Sequence, residues 1–222
     1  MVARWLMMLL IGSSLVGSGL RTVLAGGASL QVNDATGQAV ADAVVVLEAP
    51  AGASSPPPAS RPTATVDQRN LRFVPQISVV RTGTAIDFPN SDKVLHQVYS
   101  FSPAKNFKLS LYAGHVHPPL IFDATGIVTL GCNIHDAMIG FIYVTDSPWF
   151  GKTDAAGHYD VERLPAGNYH VVIWHPRLNE STPQLESRLT IPAEGTVPLV
   201  FNLTKPMKPP TSDNSTRQWK GY

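Results

Sequence analysis

The sequence of 222 residues holds a single cysteine, Cys132, and only 15% of it is charged, against about 25% in an ordinary soluble protein. One cysteine closes no intramolecular disulfide and builds neither a four-cysteine nor a Cys₂His₂ structural zinc site. Charge of either sign is scarce: 17 Lys and Arg face 16 Asp and Glu, a formal +1. Such a chain lacks the basic stripe that a phosphate backbone demands, so no nucleic-acid partner is expected. No nucleophile elbow or defensible carboxylate pair stands out among the scattered Ser, Asp and Glu, which leaves no hydrolase site. The length allows one or two domains.

The N-terminus reads as an export signal. Arg4 gives a positive start, Trp5 to Leu20 is apolar or small, and Val23-Leu24-Ala25 offers a signal peptidase its small residues. Cleavage is expected after Ala25, with Ala28 as a second candidate. The alternative is an uncleaved anchor, but the apolar run is short for a full span and is weakened by Gly12, Ser13, Ser14 and Gly17. No cysteine follows it to carry a lipid. The mature protein is therefore expected to be near-neutral, without a stable membrane span, and periplasmic or otherwise exported. A lone thiol there is unpaired or a metal ligand.

The rest predicts an all-β fold. Val44-Val45-Val46 favours strand, residues 51–63 read as a proline-rich linker, and from Val66 onward no window sustains a helical apolar period. Phe73, Pro75, Ile77 and Val79 alternate, and Ile86 and Phe88 alternate across Asp87. His96 and Val98 fall on one strand face with Gln97 on the other, residues 102–118 look irregular, and Phe122–Leu130 and Ile139–Val144 supply further strands. Residues 147–204 form a second β block, with Tyr159/Val161 and Tyr169/Val171/Ile173 alternations. The tail 205–222 has no apolar period and is expected to be disordered.

Four residues stand apart: His96, Cys132, His135 and Met138. The last three form a C-x₂-H-x₂-M loop between two strands, and His96 lies 36 residues upstream after the turn cluster Pro89-Asn90-Ser91-Asp92. A thiolate, two imidazoles and a weak thioether suit one copper ion alternating between Cu(I) and Cu(II). Zinc has no redox chemistry and gains little from a thioether. Each residue alone is more often core; their joint appearance points to metal.

These motifs carry a resemblance. Phe73-x-Pro75-x-Ile77-x-Val79, Gly83-x₂-Ile86-x-Phe88-x-Asn90-x₅-His96 and Phe122-x₃-Gly126-x₅-Cys132-x₂-His135-x₂-Met138-x-Gly140-x-Ile142-x-Val144 resemble the two halves of a cupredoxin, a type 1 blue copper protein, over roughly residues 66–145. The loop spacing is similar to that of amicyanin rather than the longer loop of plastocyanin. HQVYSFSP, LGCNIHDAM and the later Trp174-His175-Pro176 resemble cupredoxin-like proteins labelled methylamine utilisation proteins. The resemblance implies a Greek-key β-sandwich at 64–146, with His96, Cys132 and His135 as equatorial ligands and Met138 as the axial one. Asn90 would stand behind them, tying the ligand loop to a neighbouring loop. The edge of His135 would emerge through an apolar docking patch, although Asp136 stands where amicyanin has an apolar residue.

Leu30 to Leu47 together with Lys152-Thr153-Asp154-x₂-Gly157-x-Tyr159 and Leu164-Pro165-Ala166-Gly167-x-Tyr169 resembles the small regulatory-like sandwich found after carboxypeptidases. This implies a discontinuous second β-sandwich of 28–50 plus 147–204, interrupted by the copper domain. The alternative assigns 28–50 as edge strands of the cupredoxin. His115 and His117 read as a solvated loop, and His158, His170 and His175 as strand residues. The leading functional expectation is an electron carrier, not an enzyme, whose partner is a redox protein such as a c-type cytochrome or periplasmic dehydrogenase. The alternatives are a copper storage or delivery protein, and a carbohydrate- or protein-binding module with a structural metal and Trp149, Phe150 and Trp174 as a stacking surface.

Overall fold

The computed structural model describes residues 26–50, 60–180, 182 and 184–210. The expected signal segment with its Ala25 cleavage site, most of the 51–63 linker and residues 211–222 lie outside the described residues. The strands begin with β1 (Gly26–Asn33), β2 (Val44–Glu48), β3 (Thr63–Thr65), β4 (Asp67–Arg69), β5 (Arg72–Val74) and β6 (Ile77–Arg81). There follow β7 (Thr84–Asp87), β8 (Tyr99–Ser102), β9 (Lys105–Lys108), β10 (Leu120–Phe122), β11 (Gly126–Gly131) and β12 (Ile139–Thr145). The chain continues with β13 (Trp149–Lys152), β14 (His158–Leu164), β15 (Gly167–Trp174), β16 (Leu185–Ile191) and β17 (Thr196–Asn202). The protein is all-β, and among the described residues no helix is long and apolar enough to cross a membrane.

Strands β3 to β12 build one region. A five-stranded sheet has the order β6-β12-β11-β8-β9, a three-stranded sheet the order β10-β7-β3, and β4 and β5 form a hairpin. Between them lies a core of Phe73, Ile86, Phe88, Val98, Phe122, Val128, Leu130, Ile142 and Val144, which also takes in Cys132 and Met138. The period of two in β12 explains both its faces: Ile142 and Val144 point into this core, whereas Phe141 and Tyr143 point the other way.

Strands β1 and β2 pair with the strands after residue 147. β1 lies antiparallel to β14 and parallel to β17, and β2 lies between β13 and β15 in a four-stranded sheet closed by β16. The unbroken apolar run of β2 follows from burial on both faces. Val45 and Leu47 enter a core with Leu30, Tyr169, Ile173 and Ile191. Val44 and Val46 join Ile77, Val172 and Trp174 in a layer against Phe141 and Tyr143. Trp174 packs edge-on to Phe141 with ring centroids 5.7 Å apart, and Trp149 does the same to Tyr169 at 5.5 Å. Both tryptophans are thus engaged in packing rather than presented as an open stacking surface.

Three local readings need correction. Residues 105–108, expected to be irregular, form β9. Its Lys-Asn-Phe-Lys sequence has a single apolar residue because the strand sits at a sheet edge, where lysines guard unpaired backbone groups. His96 precedes β8 rather than lying within a strand, joined by an isolated bridge to Tyr112. Residues 205–210 of the expected disordered tail are held in place: Lys208 N–H donates to the Arg177 carbonyl at 2.8 Å, and Met207 packs on the core around Leu30.

Candidate metal centre

The register of β8 and β11 explains how residues 36 apart in the chain meet. Gly131 faces Tyr99 across the ladder, and the antiparallel progression from that pair carries Asn133 opposite Gln97. Asn133 Nδ2 accordingly donates to Gln97 Oε1 at 2.6 Å. Cys132 emerges from the end of β11 beside the segment that carries His96. Tyr99 packs over Gly131 so closely that any side chain there would collide with its ring.

His96, Cys132 and His135 converge, each offering one ligand atom, with all three atoms within 4.8 Å of one another. His96 Nδ1 lies 3.8 Å from Cys132 Sγ, and the two imidazole rings stand 5.0 Å apart at 63°. His96 is fully buried, Cys132 is 2% exposed, and His135 is half-buried. His135 Nδ1 is a buried nitrogen with no hydrogen-bond partner. An orphaned buried nitrogen is costly, and a metal ion in front of it would satisfy it. Burial, reinforced by the neighbouring His96 ring, pushes the His135 pKa below the ordinary histidine value. The ring therefore stays neutral with a lone pair free at neutral pH. Thiolate plus two imidazoles is a donor set for copper or zinc, and the residues present fit a metal ion. Met138 is 1% exposed in the same core cluster as Cys132, and its N–H closes the loop on the His135 carbonyl at 2.8 Å.

The scaffold behind His96 is polar and densely bonded. Its backbone exchanges both hydrogen bonds with Tyr112. Asn90 Nδ2 donates to the carbonyls of Val94 (2.9 Å) and Tyr112 (2.7 Å), and Asn90 Oδ1 accepts from Asp92 N–H at 3.0 Å. Asn90 thus ties the His96 segment to the Tyr112 loop, while Asn133 and Gln97 link the Cys132–Met138 loop to it. Burial pushes the Tyr112 phenol up to about 12. The phenol remains protonated, donating to the Phe88 carbonyl while accepting from Gln68 Nε2.

A group that the sequence showed only as part of a turn contacts His96 from outside. Asp92 Oδ2 sits 2.8 Å from His96 Nε2. Asp92 also accepts the N–H of Asn70 at 2.6 Å and of Leu71 at 2.9 Å, the two residues at the tip of the β4–β5 hairpin. Burial works against its charge, but the bonds from Leu71, His96 and Asn70 prevail and hold the carboxyl below the usual aspartate value.

The other histidines lie elsewhere. His115 is exposed and bonded to Asp87 at 2.8 Å, and His117 packs edge-on to Tyr112. His170 lies between Glu48 (2.9 Å) and Glu186 (3.2 Å), whose hydrogen bonds, Glu48 foremost, raise its pKa. His175 is buried, accepts the Arg177 N–H at its Nδ1, and is pushed down to about 4, chiefly by desolvation. His158 opens β14 as an exposed residue.

No family model matches the chain, and no curated protein matches it. Several solved structures are similar to part of it. A purple cupredoxin from Nitrosopumilus maritimus is 19% identical over 37% of this chain and 99% of its own, with a TM-score of 0.34. A substituted amicyanin in its Cu(I) form is 17% identical over 45% of this chain and 97% of its own, with a TM-score of 0.34. A copper-containing nitrite reductase from Thermus scotoductus is 20% identical, covering 51% of this chain and 28% of the reductase, with a TM-score of 0.35.

Proposed function

We propose that the chain is an exported cupredoxin-like protein that holds one copper ion and carries single electrons. The observation that carries this reading is the convergence of one donor atom each from His96, Cys132 and His135 within 4.8 Å, with His96 Nδ1 3.8 Å from Cys132 Sγ and two of the three residues buried. Met138, buried beside Cys132, would complete the set as a weak axial donor. When bound, copper supplies a one-electron couple between Cu(II) and Cu(I). The protein's part is to hold the ligands still in both states. His96 is fixed by its bridge to Tyr112, Cys132 by the end of β11, and the loop by the Met138–His135 and Asn133–Gln97 bonds.

With Met138 as the fourth donor the proposed set leaves no open position for a substrate, so the proposed role is that of a carrier and not an enzyme. His135 is the ligand nearest solvent, and it is followed by the exposed Asp136 and preceded by the half-exposed Ile134. Leu95 and Val94, also about half exposed, lie next to His96 in the chain. Such a mixed apolar and acidic rim suits a transient contact with a redox protein carrying basic groups around an apolar centre, such as a c-type cytochrome or a periplasmic dehydrogenase. The pairing of β1 and β2 with strands after residue 147 supports a second, discontinuous sandwich of residues 28–50 and 147–204.

Protein-film voltammetry of the copper-loaded protein tests the carrier role. A reversible one-electron wave, with the copper retained through repeated cycles in the presence of a competing Cu(I) chelator, is the expected result. Loss of copper on reduction would instead assign a delivery protein.

A further inference from the structure

Asp92 is the one acidic side chain bonded to a residue of the three-ligand cluster among the described residues. Its surroundings settle how that bond runs. The Asp92 side chain, a carboxylate at neutral pH like any ordinary aspartate, accepts two backbone N–H groups and acts toward His96 as an acceptor only. The hydrogen between Asp92 and His96 therefore sits on Nε2, and in the neutral ring the lone pair is on Nδ1, the nitrogen that lies 3.8 Å from Cys132 Sγ. His96 has no exposed surface, so Asp92, and not bulk water, is the partner of its Nε2.

The origin of the carboxylate's fixed position is unusual. Arg69 and Arg72 pair across the β4–β5 hairpin, leaving Asn70 and Leu71 as a two-residue turn with φ of +53° and +58°. Such a turn requires positive φ at both positions, which Asn adopts far more readily than Leu. The successive N–H groups of Asn70 and Leu71 converge on Asp92 as a small anion-binding nest. The carboxylate holds the turn, and the turn holds the carboxylate against His96.

We propose that Asp92 is a positioning residue for the metal centre: it fixes the Nδ1-donor tautomer of His96 and, as a partly buried anion on the far side of the ring, biases a bound copper ion toward Cu(II). This rests on the copper reading above. An imidazole that donates to a carboxylate is the more basic ligand, and that extra donation stabilises the more highly charged oxidation state. The centre is thereby set to a lower midpoint potential than the same three ligands would give with a neutral partner behind His96.

Two measurements test this. Nitrogen-15 NMR of the metal-free wild-type protein reports the His96 tautomer without any copper. Hydrogen on Nε2 is expected, and hydrogen on Nδ1 would overturn the proposal. Asp92→Asn is then compared with wild type for Cu(II) and Cu(I) affinity. Removal of such partners costs about 10- to 100-fold in metal affinity; the loss should fall mainly on Cu(II), and each tenfold change in the ratio raises the midpoint by about 59 mV. An unchanged or lowered midpoint would overturn the proposal. Repeating the pair in a Leu71→Gly background separates tuning from hairpin disorder, because glycine relaxes the turn. A shift that persists there supports tuning, and one that vanishes overturns it. If wild type binds no copper, the functional reading fails, and the tautomer measurement still decides the Asp92–His96 relation.

Discussion

Cys132 Sγ and His96 Nδ1 stand 3.8 Å apart at the buried end of two neighbouring strands, although 36 residues separate them in the chain. The juxtaposition is produced by the β8–β11 ladder and by the bonds at Asn133 and Tyr112, so disturbing those bonds should loosen the centre before it unfolds the protein. Asn133→Ala removes the 2.6 Å bond to Gln97. Because Asn133 itself is exposed, global stability should fall by less than about 1.5 kcal/mol. Copper should nevertheless dissociate faster, read by competition with a chelator.

Gly140 in β12 packs directly on Phe73, and a Cβ placed there would stand 2.9 Å from the Phe73 Cβ. Gly140→Ala should therefore overpack the core under the metal loop and cost about 1–3 kcal/mol. Chemical denaturation of the metal-free protein checks it. An unchanged midpoint would mean that β5 yields freely to β12.

Thr153 joins β1–β2 to the strands after residue 147. Its hydroxyl accepts the Ala43 N–H at 2.9 Å and donates to the Val40 carbonyl at 2.7 Å, in a site 3% exposed. Thr153→Val keeps the shape and leaves a buried donor and acceptor unpaired, for a loss of about 1–3 kcal/mol. Differential scanning calorimetry should register it.

His175 makes stability depend on pH. Its folded pKa of about 4 lies below the ordinary value near 6.5. Between these values the unfolded chain binds a proton on this ring and the folded protein does not. Stability from this group is complete above pH 6.5, falls as the pH drops, and reaches its full loss of about 3 kcal/mol near pH 4. His175→Asn, which retains an acceptor for the Arg177 N–H, should show a shallower decline from pH 7 to pH 4 in denaturation midpoints.

The parts of this molecule that the sequence reveals are those encoded locally. Cys132, His135 and Met138 share one short loop, so their nearness along the chain is plain from the sequence, and the alternation at Ile142 and Val144 marks β12 as a strand. Asp92 was visible only as a turn residue, because its partner Leu71 carries an unfavourable φ that no local pattern announces. β9 escaped because an edge strand needs few apolar residues. The pairing of Ala28 with Val197 depends on burial supplied by strands far apart in the chain, which periodicity cannot register. Asn133 and Gln97 look like ordinary polar residues until the ladder places them face to face.

The visible spectrum of the Cu(II)-loaded protein tests the central claim most directly. An intense thiolate-to-copper charge-transfer band, abolished in Cys132→Ser, is the result predicted for a site of His96, Cys132 and His135. A colourless Cu(II) form, or a band that survives Cys132→Ser, would contradict it.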